Sequence, residues 1–500
     1  GSPIATGSTF NPVGVAGSGL PDTNTAGVYT YWVNCPDSAS PRTKTEFTIG
    51  KIWRGSVSTD WNDLNNWKPK GKPTSADCVY IENVANQPLL NYPGLPTPPD
   101  PAYAKNLTIG TNASLEIDTG TSMTVTDWID IDNTATFIVR NNANLVQVTD
   151  VASNNNTGSI NMQRSVTGVT PGDYVYWSSP VEGFNVTNIS PGSNPNYIYK
   201  WIPTVTGNGA GNYGNWLFTN EAMQIGKGYI IRGLSGTTPT PPASVATTEF
   251  IGLPNNGVIT VPIQRGTYSG ANYPGAGSSM ATELDDNWNL IGNPYPSSIS
   301  ARDFITANAS EIIDDVNASI AGTVYLWQHL SAPSAGEGDP FYGDFSYNYN
   351  PNDYLKFNHT GSSPAGFSGY IGAGQSFFVL MDHNTASPSE SVIFNNTMRN
   401  DTYRNDQFYR TEQTERHRIW LDLINSNNLA TSILVGYVEG ATNAQDKLFD
   451  GYDLNETNMR FYSIIDEEEM AIQGKALPFD INDRVPLGIE IAQNEIYTIG

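Results

Sequence analysis

Three groups of side chains in this sequence have the types and spacing to do chemistry. The first is acidic. Asp446, Asp450 and Asp453 fall within eight residues of one another, and Asp127, Asp130 and Asp132 within six. Hard oxygen ligands gathered near turns suit Ca2+, so calcium at Asp446, Asp450 and Asp453 is the one cofactor these residues suggest. Neither segment has the spacing of an EF-hand loop, and a polar turn without an ion is the simpler reading. The second group is aromatic. Trp53, Trp61 and Trp67 are spaced like rings that could line a sugar platform, where an apolar sugar face stacks on an aromatic. Trp in a loop-rich β domain also serves as a core plug, and that reading is preferred. The third group is the denser carboxylate pairs, Asp285-Asp286, Asp314-Asp315 and Glu467 to Glu469. Glycoside hydrolysis needs two carboxylates facing each other across a cleft, whereas adjacent acids are more simply solvated turns.

Other catalytic signatures are missing from the sequence. His329, His359, His383 and His417 lie 24 or more residues apart, without paired ligand spacing. Ser178-Ser179 sits in no Gly-x-Ser-x-Gly elbow. Ile225-Gly-Lys-Gly-Tyr229 has the start of a phosphate loop but runs straight into an apolar strand, so its glycines are expected to serve a turn or a close backbone approach. The chain reads as non-enzymatic.

The elements that must position these groups are strands. Charged residues make up 15% of the 500, against the roughly 25% usual for globular domains. Asn, Ser, Thr, 47 Gly and 33 Pro fill the difference, a mixture that punctuates chains into turns. The expected class is all-β and multi-domain: tandem sandwich or jelly-roll-like modules, a short-strand stack near the N-terminus, and one short helix. A net charge of −24 without a basic stripe repels phosphate backbones and anionic bilayers, which argues against nucleic acid. No apolar run reaches the roughly 18 residues of a spanning helix, so direct membrane insertion is not expected. Two cysteines, Cys35 and Cys78, are too few for a disulfide scaffold, and whether they pair is left open.

Five segments are expected. Residues 1–49 read as the end of an Ig-like repeat, with a Gly27-x-Tyr-x-Tyr31 strand, so that the chain would continue a longer protein. Residues 50–165 hold the Trp-rich opening and then five short period-two patches, starting at Asn106, Ser114, Ser122, Trp128 and Thr136. A β-helix-like stack and a tightly wound sandwich both fit them. Pro-rich 92–101 and Gly-rich 336–343 read as loops.

Residues 166–280 and 281–400 read as two copies of one module. Tyr174 to Pro180 is echoed by Trp288 to Pro296, Tyr197 to Trp201 by Val324 to Trp327, and Ile225 to Ile231 by Ile371 to Phe378. Ser300 with Asp303 offers an N-cap and an acidic third position for the one helix. Residues 401–500 carry 18 acidic and 8 basic side chains and stop inside a strand pattern, which reads as an incomplete C-terminal domain.

Trp288-Asn-Leu-Ile-Gly-Asn-Pro-Tyr-Pro296, Phe394-Asn-Asn-Thr-Met-Arg399, Val435-Gly-Tyr-Val-Glu-Gly-Ala-Thr442 and Ile472-Gln-Gly-Lys-Ala-Leu-Pro-Phe479, then Asp483-Arg-Val-Pro-Leu-Gly488, follow one another along the chain. Together with Ile371 to Phe378, this stretch resembles the C-terminal part of large surface cargo proteins of the Bacteroidetes type IX secretion system, including a type C sorting region. The resemblance implies export across the outer membrane to the cell surface or medium. It implies as partners the secretion translocon and its outer-membrane shuttle barrel, with surface polysaccharide as a further candidate. Leu477, Pro478, Phe479, Asp483 and Pro486 become sorting-region candidates, the first three expected on a strand edge. The function expected is that of an adhesin-type surface protein. The alternative is an accessory and sorting region, with glycan-binding modules, of a polysaccharide-degrading enzyme.

Overall fold

The computed structural model describes residues 11–20, 22–33, 43–91, 102–204, 215–237, 244–266, 273–274, 280–281, 288–313, 320–328, 353–381, 387–403, 405, 417–453, 459–491 and 495–500. Cys35, the segments 92–101 and 336–343, Asp285-Asp286, Asp314-Asp315, His329 and His383 lie outside them. The fold is all-β and multi-domain, and no helix among the described residues is long and apolar enough to cross a membrane. Two compact units emerge: Gly1–Gln163 with Ile251–Gly257, and Arg164–Phe250 with Val258–Gly500.

In the first unit the short patches form a stack of parallel strands with three faces. Cys78–Ile81, Asn106–Ile109 and Ile129–Ile131 line one face. Leu89–Leu90, Ser114–Ile117 and Thr136–Val139 line the second, with Asn161 and Met162 continuing it. Ala102–Ala104, Ser122–Val125 and Asn144–Gln147 line the third. Each lap of the chain adds one strand to each face, so identical registers bring like residues into columns. Ile81, Ile109 and Ile131 stack in one such column, and Ile117 and Val139 in another; all are buried. Burying an aliphatic side chain this way contributes about 1.5–3 kcal/mol, which is why four-residue strands suffice. A β-helix-like stack, and not a sandwich, is therefore what the period-two patches encode.

An antiparallel hairpin, Gly27–Val33 with Thr43–Ile49, precedes the stack. Ala26 just before it shares a buried cluster with Ile52 and Cys78. Cys78 is a free, buried thiol. Residues 251–257 belong with this unit because Asn154 and Asn156 donate side-chain N–H to Pro254 O, at 2.9 and 3.0 Å.

The second unit repeats one sheet order. Tyr174–Trp177 pairs with Tyr229–Arg232, which pairs with Ile198–Ile202, which pairs with Asn215–Phe218, all antiparallel. Trp288–Gly292, Ser376–Met381, Ile320–Trp327 and Tyr354–Phe357 follow the same antiparallel order. Single bridges, Trp177 to Gln375 and Lys227 to Ile291, tie the sheets at equivalent places. Close approach there requires glycine. A Cβ at Gly228 would lie 2.4 Å from Leu290 Cγ and 2.8 Å from Ser376 Cβ.

The helix falls at Ala301–Ala307, with Ser300 Oγ accepting from Asp303 N at 3.1 Å, and a second turn at Ala309–Ile313 follows it. Ile259–Gln264, expected in the first module, pairs instead with Ser389–Phe394 of the second. Its Val261 and Ile263 enter the core of helix and second sheet, which explains the exchange. The last sheet orders Leu487–Ile491, Met459–Ile465, Glu468–Ala476, Ala430–Val438, Arg418–Ile424 and Thr498–Ile499, with Ala430–Val438 parallel to Glu468–Ala476.

Candidate functional site

The structure shows where the tryptophans, the acidic turns and the sorting-region candidates lie. Trp53, Trp61 and Trp67 are 0, 0 and 3% exposed. Trp61 lies 6.3 Å from Trp53, near parallel, and Trp67 meets both edge-on at 5.0 and 4.7 Å. Trp53 Nε1 donates to Asn86 O and Trp67 Nε1 to Trp61 O. Trp53 pairs in register with Ile81, at the start of the column of the stack. The rings plug the first lap, and with no face open to solvent they form no sugar platform.

The acidic turns are occupied by protein donors. Asp450, 5% exposed, accepts from the backbone N–H groups of Asp446 and Gly474. Burial pushes its carboxyl up to about 7, and burial also raises Asp446. Asp453 pairs instead with Arg460, whose guanidinium also reaches Glu469 and Glu490. Asp127, Asp130 and Asp132 accept from the hydroxyls of Thr149, Thr157 and Thr134. Among the described residues no three His, Cys, Asp or Glu side chains gather as a metal would need. Asp450 and Asp453 thus fasten the last sheet through protein donors.

The sorting-region candidates do come together, but in a turn. Glu468–Ala476 ends before Leu477, so Leu477, Pro478 and Phe479 form a bend beyond the strand and not a strand edge. Asp483 anchors that turn, accepting from Lys475 Nζ and Tyr437 OH, each at 2.9 Å. The Lys475 bond holds its carboxyl below the usual range, while burial and Asp483 push Tyr437 up to about 12. Phe479 meets Tyr437 edge-on at 4.9 Å yet stays 59% exposed, and Ile481 is 86% exposed. Pro486 O accepts from Ile464 N and leads into Leu487–Ile491. The turn is thus an apolar projection on a fixed base.

The other quoted motifs are packing nodes. Asn293 is fully buried, donating to Ser297, Ile371 and Gly372 carbonyls and accepting from Tyr295 N. Arg399 lies 4.5 Å over the Tyr295 ring and bonds Ser297 and Asn396. Two motifs a hundred residues apart in sequence form one polar knot.

A site that motif reading misses lies on the first four-stranded sheet of the second unit. Strand alternation puts Tyr174, Tyr176, Tyr199, Trp201, Trp216 and Phe218 on one face, with Ile230 and Arg232 between them. Half of this face is core. Tyr176, Trp201 and Trp216 pack with Trp327, Phe378 and Tyr354 of the second sheet, and Tyr176 OH bonds Tyr354 OH at 2.6 Å. The other half carries Tyr174 and Tyr199, partly buried against that core, and beside them the exposed Phe218. Tyr199 stacks on Phe218 at 4.8 Å and 22°, Tyr174 meets Tyr199 at 6.1 Å, and Phe218 is 61% exposed. Arg232 stands 4.9 Å over the Tyr197 ring. The sequence signal for it is alternating aromatics in three segments, Tyr174-Val-Tyr176, Tyr199-Lys-Trp201 and Trp216-Leu-Phe218.

A model of the family described as "Domain of unknown function (DUF8693)" matches residues 52–500. The chain belongs to the DUF8693 family. No curated protein and no solved structure matches it. The DUF8693 match takes in the parallel stack, both repeated sheets and the C-terminal sheet, so all the sites described above lie within it.

Proposed function

We propose that this chain is part of a non-enzymatic, adhesin-type protein of the cell surface or surrounding medium, exported by a type IX secretion system. Its open aromatic face contacts polysaccharide. The observation that carries this reading is the row Tyr174, Tyr199 and Phe218, in which the exposed Phe218 stacks on Tyr199 and the two tyrosines are half-buried at the margin of the aromatic core. Phe218 faces water beside the half-buried tyrosines, and the flat C–H face of a sugar covers such a ring without requiring a deep pocket. A sparsely charged surface rich in Asn, Ser and Thr suits an extracellular setting. The anchored apolar turn at Leu477, Pro478 and Phe479 supports contact with the export machinery.

Affinity electrophoresis of the full chain in polysaccharide gels tests the binding face. Retardation by at least one polysaccharide, lost in Phe218→Ala, is expected; equal mobility of the two proteins in every gel overturns the reading. Deleting residues 401–500 from the exported parent protein tests the sorting role, and unchanged surface display would end it. The accessory region of a polysaccharide-degrading enzyme is the alternative, supported by the same face. Release of reducing ends by the parent protein would favour it.

A further inference from the structure

The aromatic face contains a cation, Arg232, that no carboxylate among the described residues neutralises. Arg232 lies directly across the strand pair from Tyr174 and over the Tyr197 ring, and its charge acts on the Tyr199 phenol. Among the described residues it has no carboxylate partner. Arg54, Arg140, Lys200, Arg460 and Lys475 are all ion-paired, as a chain with 49 acidic and 25 basic side chains would lead one to expect. The Arg232 Nε–H is also buried without an acceptor. The guanidinium is thus partly stripped of water and, among the described residues, set against the Tyr197 ring face, which strengthens its pull on an incoming anion.

We propose that Arg232, with Tyr174, Tyr199 and Phe218, forms a subsite for a sugar unit bearing a single carboxylate on an otherwise neutral polysaccharide. The inference rests on the reading of this face as a polysaccharide contact and names the sugar class that it selects. The rings stack on apolar sugar faces, which is indifferent to charge. Arg232 supplies the discrimination, because a guanidinium matches a carboxylate in both charge and planar geometry. The net charge of −24 restricts the ligand further: a densely charged polyanion is repelled at long range, whereas a sparse carboxylate on a neutral chain is not.

The test compares glucuronoxylan with the same polymer after chemical reduction of its carboxylates to alcohols. Binding of the full chain is followed by isothermal titration at about 0.15 M salt. The native protein should bind glucuronoxylan about tenfold more tightly than the reduced polymer, the scale of one charged hydrogen bond. Arg232→Gln should bring the two affinities together, and Arg232→Lys should restore part of the preference. Phe218→Ala should weaken both. Equal binding of both polymers by the native protein, or a preference unchanged in Arg232→Gln, overturns the carboxylate subsite and leaves the aromatic contact standing. Binding of neither polymer, or binding that Phe218→Ala leaves intact, overturns the contact itself and with it the subsite. Melting temperatures of the variants equal to the native value keep these outcomes apart from misfolding.

Discussion

Replacing Trp61 by Ala separates a core role from a binding role more cleanly than any other substitution in the first unit. The ring is fully buried between Trp53, at 6.3 Å, and Trp67, at 4.7 Å. Truncating a buried Trp costs about 3–5 kcal/mol. Two lost ring contacts, each worth about 0.5–1.5 kcal/mol beyond area, put this case toward the upper end. The hydrogen bond from Trp67 Nε1 runs to the Trp61 backbone carbonyl and survives truncation, so no buried donor is orphaned there. With a urea slope of about 2–3 kcal/mol/M, a loss of about 4 kcal/mol moves the midpoint of the first unit down by about 1–2 M. Far-UV circular dichroism against urea reads this without relying on Trp fluorescence. Polysaccharide retention measured at low urea should be unchanged. A Trp61→Ala protein with a native midpoint and lost retention would refute the packing argument and restore the three tryptophans as the sugar platform.

Other consequences are equally direct. Gly228→Ala forces a methyl to within 2.4 Å of Leu290 Cγ, so overpacking should destabilise the second unit by about 1–3 kcal/mol, visible as a lowered melting temperature. The Asp450 carboxyl sits near 7 in the fold against about 3.9 unfolded, so folding favours its protonated form. That contribution is complete below about pH 4 and is lost as the pH rises through 7; it is at most about 4 kcal/mol. Asp450→Asn should flatten this part of a stability profile from pH 4 to 8. Phe479→Ser should leave the melting temperature within a degree or two, since the ring is mostly exposed, while reducing surface display of the parent protein.

How far the sequence revealed this depended on the kind of signal. Period-two patches announced short strands, and their starts, 6 to 8 residues apart, step from one face of the stack to the next, three to a lap, but parallel pairing is a long-range property that no local pattern carries. The echoes between Tyr174 to Ile231 and Trp288 to Phe378 fall on two sheets of one strand order, an order set by pairing that the echoes themselves do not carry. The Ser300 cap was legible because capping is local. The candidate site was less so. Trp53, Trp61 and Trp67 have the same residue type and spacing whether they face a sugar or one another, and only burial decides. Asp453 looked like a ligand until Arg460, seven residues on, claimed it. The open face escaped notice because Tyr174, Tyr199 and Phe218 come from three strands whose registers place them side by side only in the fold.

The central claim is that the open aromatic face makes the chain a polysaccharide-binding surface protein. Its most direct test is a glycan array probed with the native 500-residue chain and with Tyr199→Ala/Phe218→Ala, at equal concentration and after matching their circular dichroism. The account predicts native binding to a restricted set of glycans and its loss in the double variant. An array blank for the native chain, or a binding pattern that the double variant reproduces, would contradict it.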